Sequence, residues 1–169
     1  MQQLDSVRDV LVEQVADLQS SEQQLVSALS QMADAAFNHR LREAFQTHLE
    51  QTRTHADRLT RVASMLGTDM PSHECPAMKG LIAEVKDVIG ATGDANAKDA
   101  ALIAAAQRIE HHEIAAYGTV RALAAQLGLD DAAELLDQTL YEEHETDLQL
   151  TRLATGGMFA SGINEQAHV

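Results

Sequence analysis

Cysteine occurs once, as Cys75, so the chain cannot close an internal disulfide. That suits a reducing compartment, and a cytoplasmic protein is expected. A single thiol in a loop is more often passive than reactive, so Cys75 is expected to be passive, with a reactive thiol as the alternative. Tryptophan is missing and aromatics make up 3% of residues. Strand formers are scarce while Ala, Leu, Glu and Gln abound, which favours helices packed through small and aliphatic side chains. Both prolines, Pro71 and Pro76, fall in one short segment. Basic residues are few: 12 Lys and Arg face 26 Asp and Glu, for a net charge of -14. Nucleic-acid binding through a general basic surface is thereby excluded. No apolar run approaches the roughly 20 residues that span a bilayer, so no membrane partner is expected. The first residues, MQQLDSVRDV, show neither a basic leader nor an apolar stretch of the secretory kind.

What is present is helical periodicity. Leu11, Val15, Leu18, Glu22, Leu25, Leu29 and Met32 alternate steps of four and three, which places them on one helix face. A second stripe runs Leu41, Phe45, His48, Thr52, His55, Leu59, Val62, Leu66. A third runs Ile103, Ala106, Glu110, Glu113, Tyr117, Val120, Ala124, Leu127. The fourth is Leu136, Leu140, Glu143, Asp147, Leu150, Ala154. Each apolar stripe carries acids or histidines at its middle, where a core is expected. An unpaired buried carboxylate is strongly unfavourable, so it neutralises or finds a cation.

The turn residues divide the chain. Helix A is expected from near Leu4 to Ala36, and helix B from after His39 to Leu66, with Gly67 as its stop. Residues 67–98 form a long crossover holding a short helix from Ala77 to Ile89. Helix C runs from about Asp99 to Gly128. Helix D is capped by Asp130 or Asp131 and ends at Gly156. Short A–B and C–D connections make two antiparallel hairpins joined by the crossover. This is an all-α, ferritin-like antiparallel four-helix bundle over residues 1–157, followed by a loose tail at 158–169.

A register match supports the pairing. Glu22 and Glu110 are 88 positions apart, and so are His55 and Glu143. The two hairpins therefore carry polar core residues at matching heights around a pseudo-twofold centre. Glu22, His55, Glu110, Glu113, Glu143 and Asp147 are the candidate metal ligands. Asp147 stands either as a ligand or as an acid that orients one. Tyr117, His48 and Thr52 are candidates to support the ligands, with core filling as the alternative for Tyr117 and His48. Glu142, Glu145, His111 and His112 fall on other faces and are expected in solvent or at an interface. The usual dinuclear pattern has one Glu on each of two helices and Glu-x-x-His on the other two. Here Thr52-x-x-His55 keeps the histidine alone and Glu143-x-x-Thr146 the acid alone.

The blocks DLQSSEQQLVSALSQMADAA, HLEQTRTHADRL, ECPAMKGLIAE, DAALIAAAQRIEHHEIAAYGTVRALAAQLG and LLDQTLYEEHETDLQLTRLA, in that order, resemble the YciF-type ferritin-like proteins of bacteria. The resemblance covers about residues 5 to 155. It implies a compact helical bundle, usually a dimer, associated with stress responses and similar in its core to rubrerythrin and manganese catalase. By resemblance to rubrerythrin-like sites, Glu22, Glu110, Glu113, Glu143 and His55 would be ligands of a dinuclear Fe site, with Mn as the alternative. No CxxC pair exists for a rubredoxin-type centre, so electrons would come from another protein. The expected chemistry is reduction or disproportionation of peroxide, reaction with oxygen, or Fe(II) oxidation. The alternative is a non-catalytic structural or interaction protein with a vestigial or empty site. A homodimer is expected from apolar positions beyond the stripes, among them Leu4, Val26, Phe37, Leu49 and Ala56, and from the crossover residues Pro71, Cys75, Pro76, Met78, Leu81 and Ile82.

Overall fold

A computed structural model of the chain describes residues 4–67, 73–157 and 160–167. Five long helices appear: α1 (Val7–Ala35), α2 (His39–Leu66), α3 (Pro76–Gly90), α4 (Ala95–Gln126) and α5 (Asp130–Thr155). Helices α1, α2, α4 and α5 form the expected all-α bundle, and α3 lies in the crossover between the hairpins. No helix among the described residues is long and apolar enough to cross a membrane.

Local chemistry sets the ends. Ser6 caps α1 by accepting from the Asp9 amide, and Asn38 caps α2 by accepting from Arg40 and Leu41. Gly67 closes α2 in the left-handed region, with φ 61°. The turn from α1 to α2 is pinned from another helix. Buried Asp99 of α4 accepts from the Phe37 amide at 2.9 Å and the Asn38 amide at 2.6 Å. Helix α4 begins at Ala95, four residues before the expected start, because Asp94 is its cap. Asp130 and Asp131 lie inside the first turn of α5 rather than capping it. There they still favour the helix by complementing its dipole.

The crossover folds back on its own bundle. Cys75, Met78, Ile82 and Val85 are buried in the same apolar cluster as Leu25, Leu29, Phe45 and Ile103. These crossover residues therefore need no partner to cover them; Pro71 lies outside the described residues. Phe37, 66% exposed, remains uncovered. The tail is also docked, contrary to the expected loose arm. Gly156–Gly157 pairs with Ala160–Ser161, and α6 (Ile163–Gln166) buries Ile163 against α4 and α5. Gly162 permits this return, since a Cβ there would lie 2.3 Å from the Ala154 carbonyl oxygen. Residues 158, 159, 168 and 169 lie outside the described set.

The core is divided in two. One cluster, with Leu25, Met32, Phe45 and Leu102, fills one end of the bundle. Another, with Leu11, Val15, Leu59, Val62 and Leu136, fills the other. The polar residues of the four stripes occupy the layer between them.

Candidate metal centre

Four helices deliver the polar layer. Helix α1 gives Glu22, α2 gives His48, Thr52 and His55, α4 gives Glu110, Glu113 and Tyr117, and α5 gives Glu143; all are buried. The donor atoms form two overlapping groups. In one, His48, Glu110, Glu113 and Glu143 each offer an atom within 4.8 Å of the others. In the second, Glu22, His55 and Glu143 do the same. Glu143 belongs to both.

The expected residues Glu22, His55, Glu110, Glu113 and Glu143 are thus brought together. His48, expected only to support ligands, stands among the donors that could hold a metal: its Nε2 is 3.4 Å from Glu110 Oε1 and 4.0 Å from Glu143 Oε2. Both imidazoles therefore come from α2, which offsets the absence of a histidine at Thr146. Thr146 instead places its hydroxyl 3.5 Å from His48 Nδ1. Thr52 Oγ1 is buried without a partner. Asp147 stands apart from both groups. It accepts from Gln107 at 3.0 Å and faces His111 Nε2 at 3.4 Å, so it is drawn outward. Tyr117 donates its phenolic hydrogen to Glu22 Oε1.

Glu142 corrects the expectation of a solvated acid. Arg58 donates to both its oxygens, at 2.6 and 2.9 Å, which keeps it ionised and holds its pKa below the ordinary range. His55 Nε2 lies 2.8 Å from the same carboxylate and therefore carries the hydrogen. When the ring is neutral, Nδ1 presents its lone pair to Glu22 and Glu143, at 3.7 and 2.9 Å. A carboxylate that fixes the tautomer of a ligating histidine commonly accounts for 10- to 100-fold in metal affinity. Glu142→Ala is accordingly expected to weaken metal binding by about 10- to 100-fold in a competition titration against a chromophoric chelator. Unchanged affinity would remove Glu142 from this role.

The electrostatics are those of carboxylates crowded away from water. Burial, then the Glu143 charge, lifts Glu22 to about 8. Burial also pushes Glu110 and Glu113 well above the carboxylate range, reinforced by Glu143 and Glu22 respectively. Burial works against a charged His55, but Glu143, Glu22 and Glu142 outweigh it and raise the ring to about 9. Burial lowers His48. Glu143 is held low despite its burial, because His55 and His48 face it. Metal-free, the centre therefore keeps its negative charge on Glu143 and Glu142, against protonated His55 and Arg58.

This arrangement leaves nine buried polar atoms without a hydrogen bond: Glu22 Oε2, His48 Nε2, Thr52 Oγ1, His55 Nδ1, Glu110 Oε2, and both oxygens of Glu113 and of Glu143. The Glu143–His55 contact at 2.9 Å is close enough for an ion pair but lacks hydrogen-bond geometry. Buried polar atoms are nearly always satisfied, so orphans gathered in one layer mark a site built for something else. Four carboxylates and two imidazoles fit divalent transition ions, whose charge they would balance.

Comparison with known proteins agrees with this architecture. Residues 6–167 match the model of a family described as a domain of unknown function, DUF892. The chain belongs to this family. Protein YciF of Escherichia coli K12 is 45% identical over 163 residues, covering 96% of this chain and 98% of YciF. The crystal structure of that E. coli stress protein superposes with a TM-score of 0.87 at 44% identity, over 89% of this chain and 95% of the other. YcfI of Rhodopseudomonas palustris, provisionally described as structural, gives 0.85 at 37% identity, over 89% and 96%. A Xanthomonas campestris protein, 20% identical with a TM-score of 0.69, shares the fold. The chain is thus a homologue of a stress protein, with clustered His and Glu side chains able to hold metal.

Proposed function

We propose that this protein is a stress-associated ferritin-like protein whose bundle centre holds a dinuclear iron pair, or manganese, and acts on peroxide or oxygen or oxidises Fe(II). The nine orphaned polar atoms of the central layer carry the proposal. Glu143 would be shared between two ions. His48, Glu110 and Glu113 would complete one position, and Glu22 and His55 the other. A bound pair of redox-active ions supplies electron exchange with a small oxidant. The chain's own residues orient and insulate. Glu142 fixes His55, Tyr117 holds Glu22, and the two apolar clusters exclude bulk water from either side. The homodimer is part of the proposal, supported by the exposure of Phe37 and of Tyr141, each 66%. Light scattering tests it: a mass near 18.3 kDa rejects the dimer, and twice that supports it.

A non-catalytic structural role is the second reading, supported by the charge pairing of the metal-free layer. Protonated His55 and Arg58 against Glu142 and Glu143 let the bundle fold without an ion. Elemental analysis of protein purified without added metal separates the two. About two Fe or Mn per chain, with peroxide or oxygen consumed on reaction of the Fe(II) form, is the expected result. Folded protein that takes up neither metal would leave the structural reading.

A further inference from the structure

A second set of donors converges where the crossover enters α3. Asp17 of α1, Cys75 at the cap of α3 and His112 of α4 each offer an atom within 4.8 Å of the other two. Cys75 Sγ is 3.9 Å from His112 Nε2. His73, two residues before Cys75, places its Nε2 2.8 Å from Asp17 Oδ1. Carboxylate, thiol and the His112 imidazole, from three separate elements, thus meet at the half-exposed edge of the bundle, with His73 against the carboxylate. His112 points here rather than lying free on the surface.

The cysteine is held in place. Its amide donates to Ser20 Oγ at 2.9 Å, its carbonyl accepts from Gln24 at 3.3 Å, and its sulphur accepts from the Met78 amide at 3.4 Å. That last contact and the N-terminus of a 15-residue helix both favour sulphur as a thiolate. Burial opposes them and raises the thiol's pKa, so a nearby cation is what would tip the balance.

We propose that Asp17, Cys75 and His112 form a mononuclear site for a zinc-type divalent cation, separate from the bundle centre, with His73 orienting the Asp17 carboxylate from beside it. Thiolate and carboxylate cancel the charge of such an ion, the His112 imidazole is the third ligand, and solvent at the half-exposed edge would complete the tetrahedron. Zinc–sulphur and zinc–nitrogen bonds in a tetrahedron set the S···N edge at about 3.6 Å, so the 3.9 Å separation needs little adjustment. Thiolate among the donors selects zinc over iron or manganese, whereas the bundle centre offers no sulphur. The ion would clamp the start of α3 to α1 and α4, with His112 adjoining Glu113 in the chain.

Cobalt(II) added to metal-free full-length protein tests this independently of the bundle centre. The expected spectrum has a near-ultraviolet thiolate-to-cobalt charge-transfer band with tetrahedral visible bands, both abolished by zinc. Cys75→Ser should remove the charge-transfer band while serine still caps α3. Glu110→Ala, which alters only the bundle centre, should leave it intact. Asp17→Asn and His112→Asn should each weaken binding about tenfold or more. A cobalt spectrum without thiolate charge transfer overturns the site. So does a band with unchanged affinity in both Asp17→Asn and His112→Asn, which would mean adventitious binding by the thiol.

Discussion

Removing metal with a chelator is expected to lower the melting temperature far more at pH 9 than at pH 6.5. The reason is the proton inventory of the bundle centre. His55 rises from 6.5 to about 9 on folding without metal, and Glu22 from 4.5 to about 8. Glu110 and Glu113 move the same way. Between pH 6.5 and 9 the folded metal-free chain therefore binds more protons than the unfolded one. Stability must fall as pH rises through this window. The lift on His55 alone corresponds to roughly 3 kcal/mol, or on the order of 10 °C in a domain of this size. His48, Glu142 and Glu143 are lowered instead, so their contributions are lost on the acid side, below about pH 6.5. Bound ions reverse the trend, since ligands must shed protons to coordinate and binding strengthens with pH. Melting curves with and without chelator across pH 6.5–9 decide it. A constant gap, or metal-free protein that gains stability with pH, would contradict the metal-centre interpretation.

Much of this centre was legible because helical periodicity is strict. Glu22, Glu110, Glu113 and Glu143 each interrupt an apolar stripe, and the matching offset between hairpins placed them at one height. What the periodicity cannot carry is register between helices. Glu142 sits one residue off the core face of α5, and it reaches the polar layer only because Arg58 and His55 of α2 lie opposite. Asp147 occupies a stripe position yet is drawn outward by Gln107. His48 has the same apolar surroundings in sequence as a structural histidine; only the approach of α4 brings Glu110 beside it. The crossover and the tail were harder for another reason. Their docking rests on a few residues, Cys75, Met78 and Ile163, whose short segments carry too little pattern to show a buried face.

The sharing of Glu143 gives the largest effect expected from a single substitution. Its carboxylate lies within ligating reach of both groups, while Glu113 serves only the group with His48 and Glu22 only the group with His55. Glu143→Gln keeps the side-chain volume but removes the anion common to both positions. It should take the protein from about two ions per chain to nearly none, with loss of any redox activity. Glu113→Gln and Glu22→Gln should each leave about one ion, in complementary positions. The folded state should survive in all three. Metal-free, Glu22 is lifted to about 8, and burial raises Glu113 in the same direction, so neither needs its charge to hold the fold. In Glu143→Gln, His55 keeps its contact with Glu142 at 2.8 Å. Elemental analysis beside circular dichroism distinguishes loss of metal from loss of fold. If Glu143→Gln retains as much metal as Glu113→Gln, the two positions do not share a ligand, and the dinuclear assignment gives way to two independent sites.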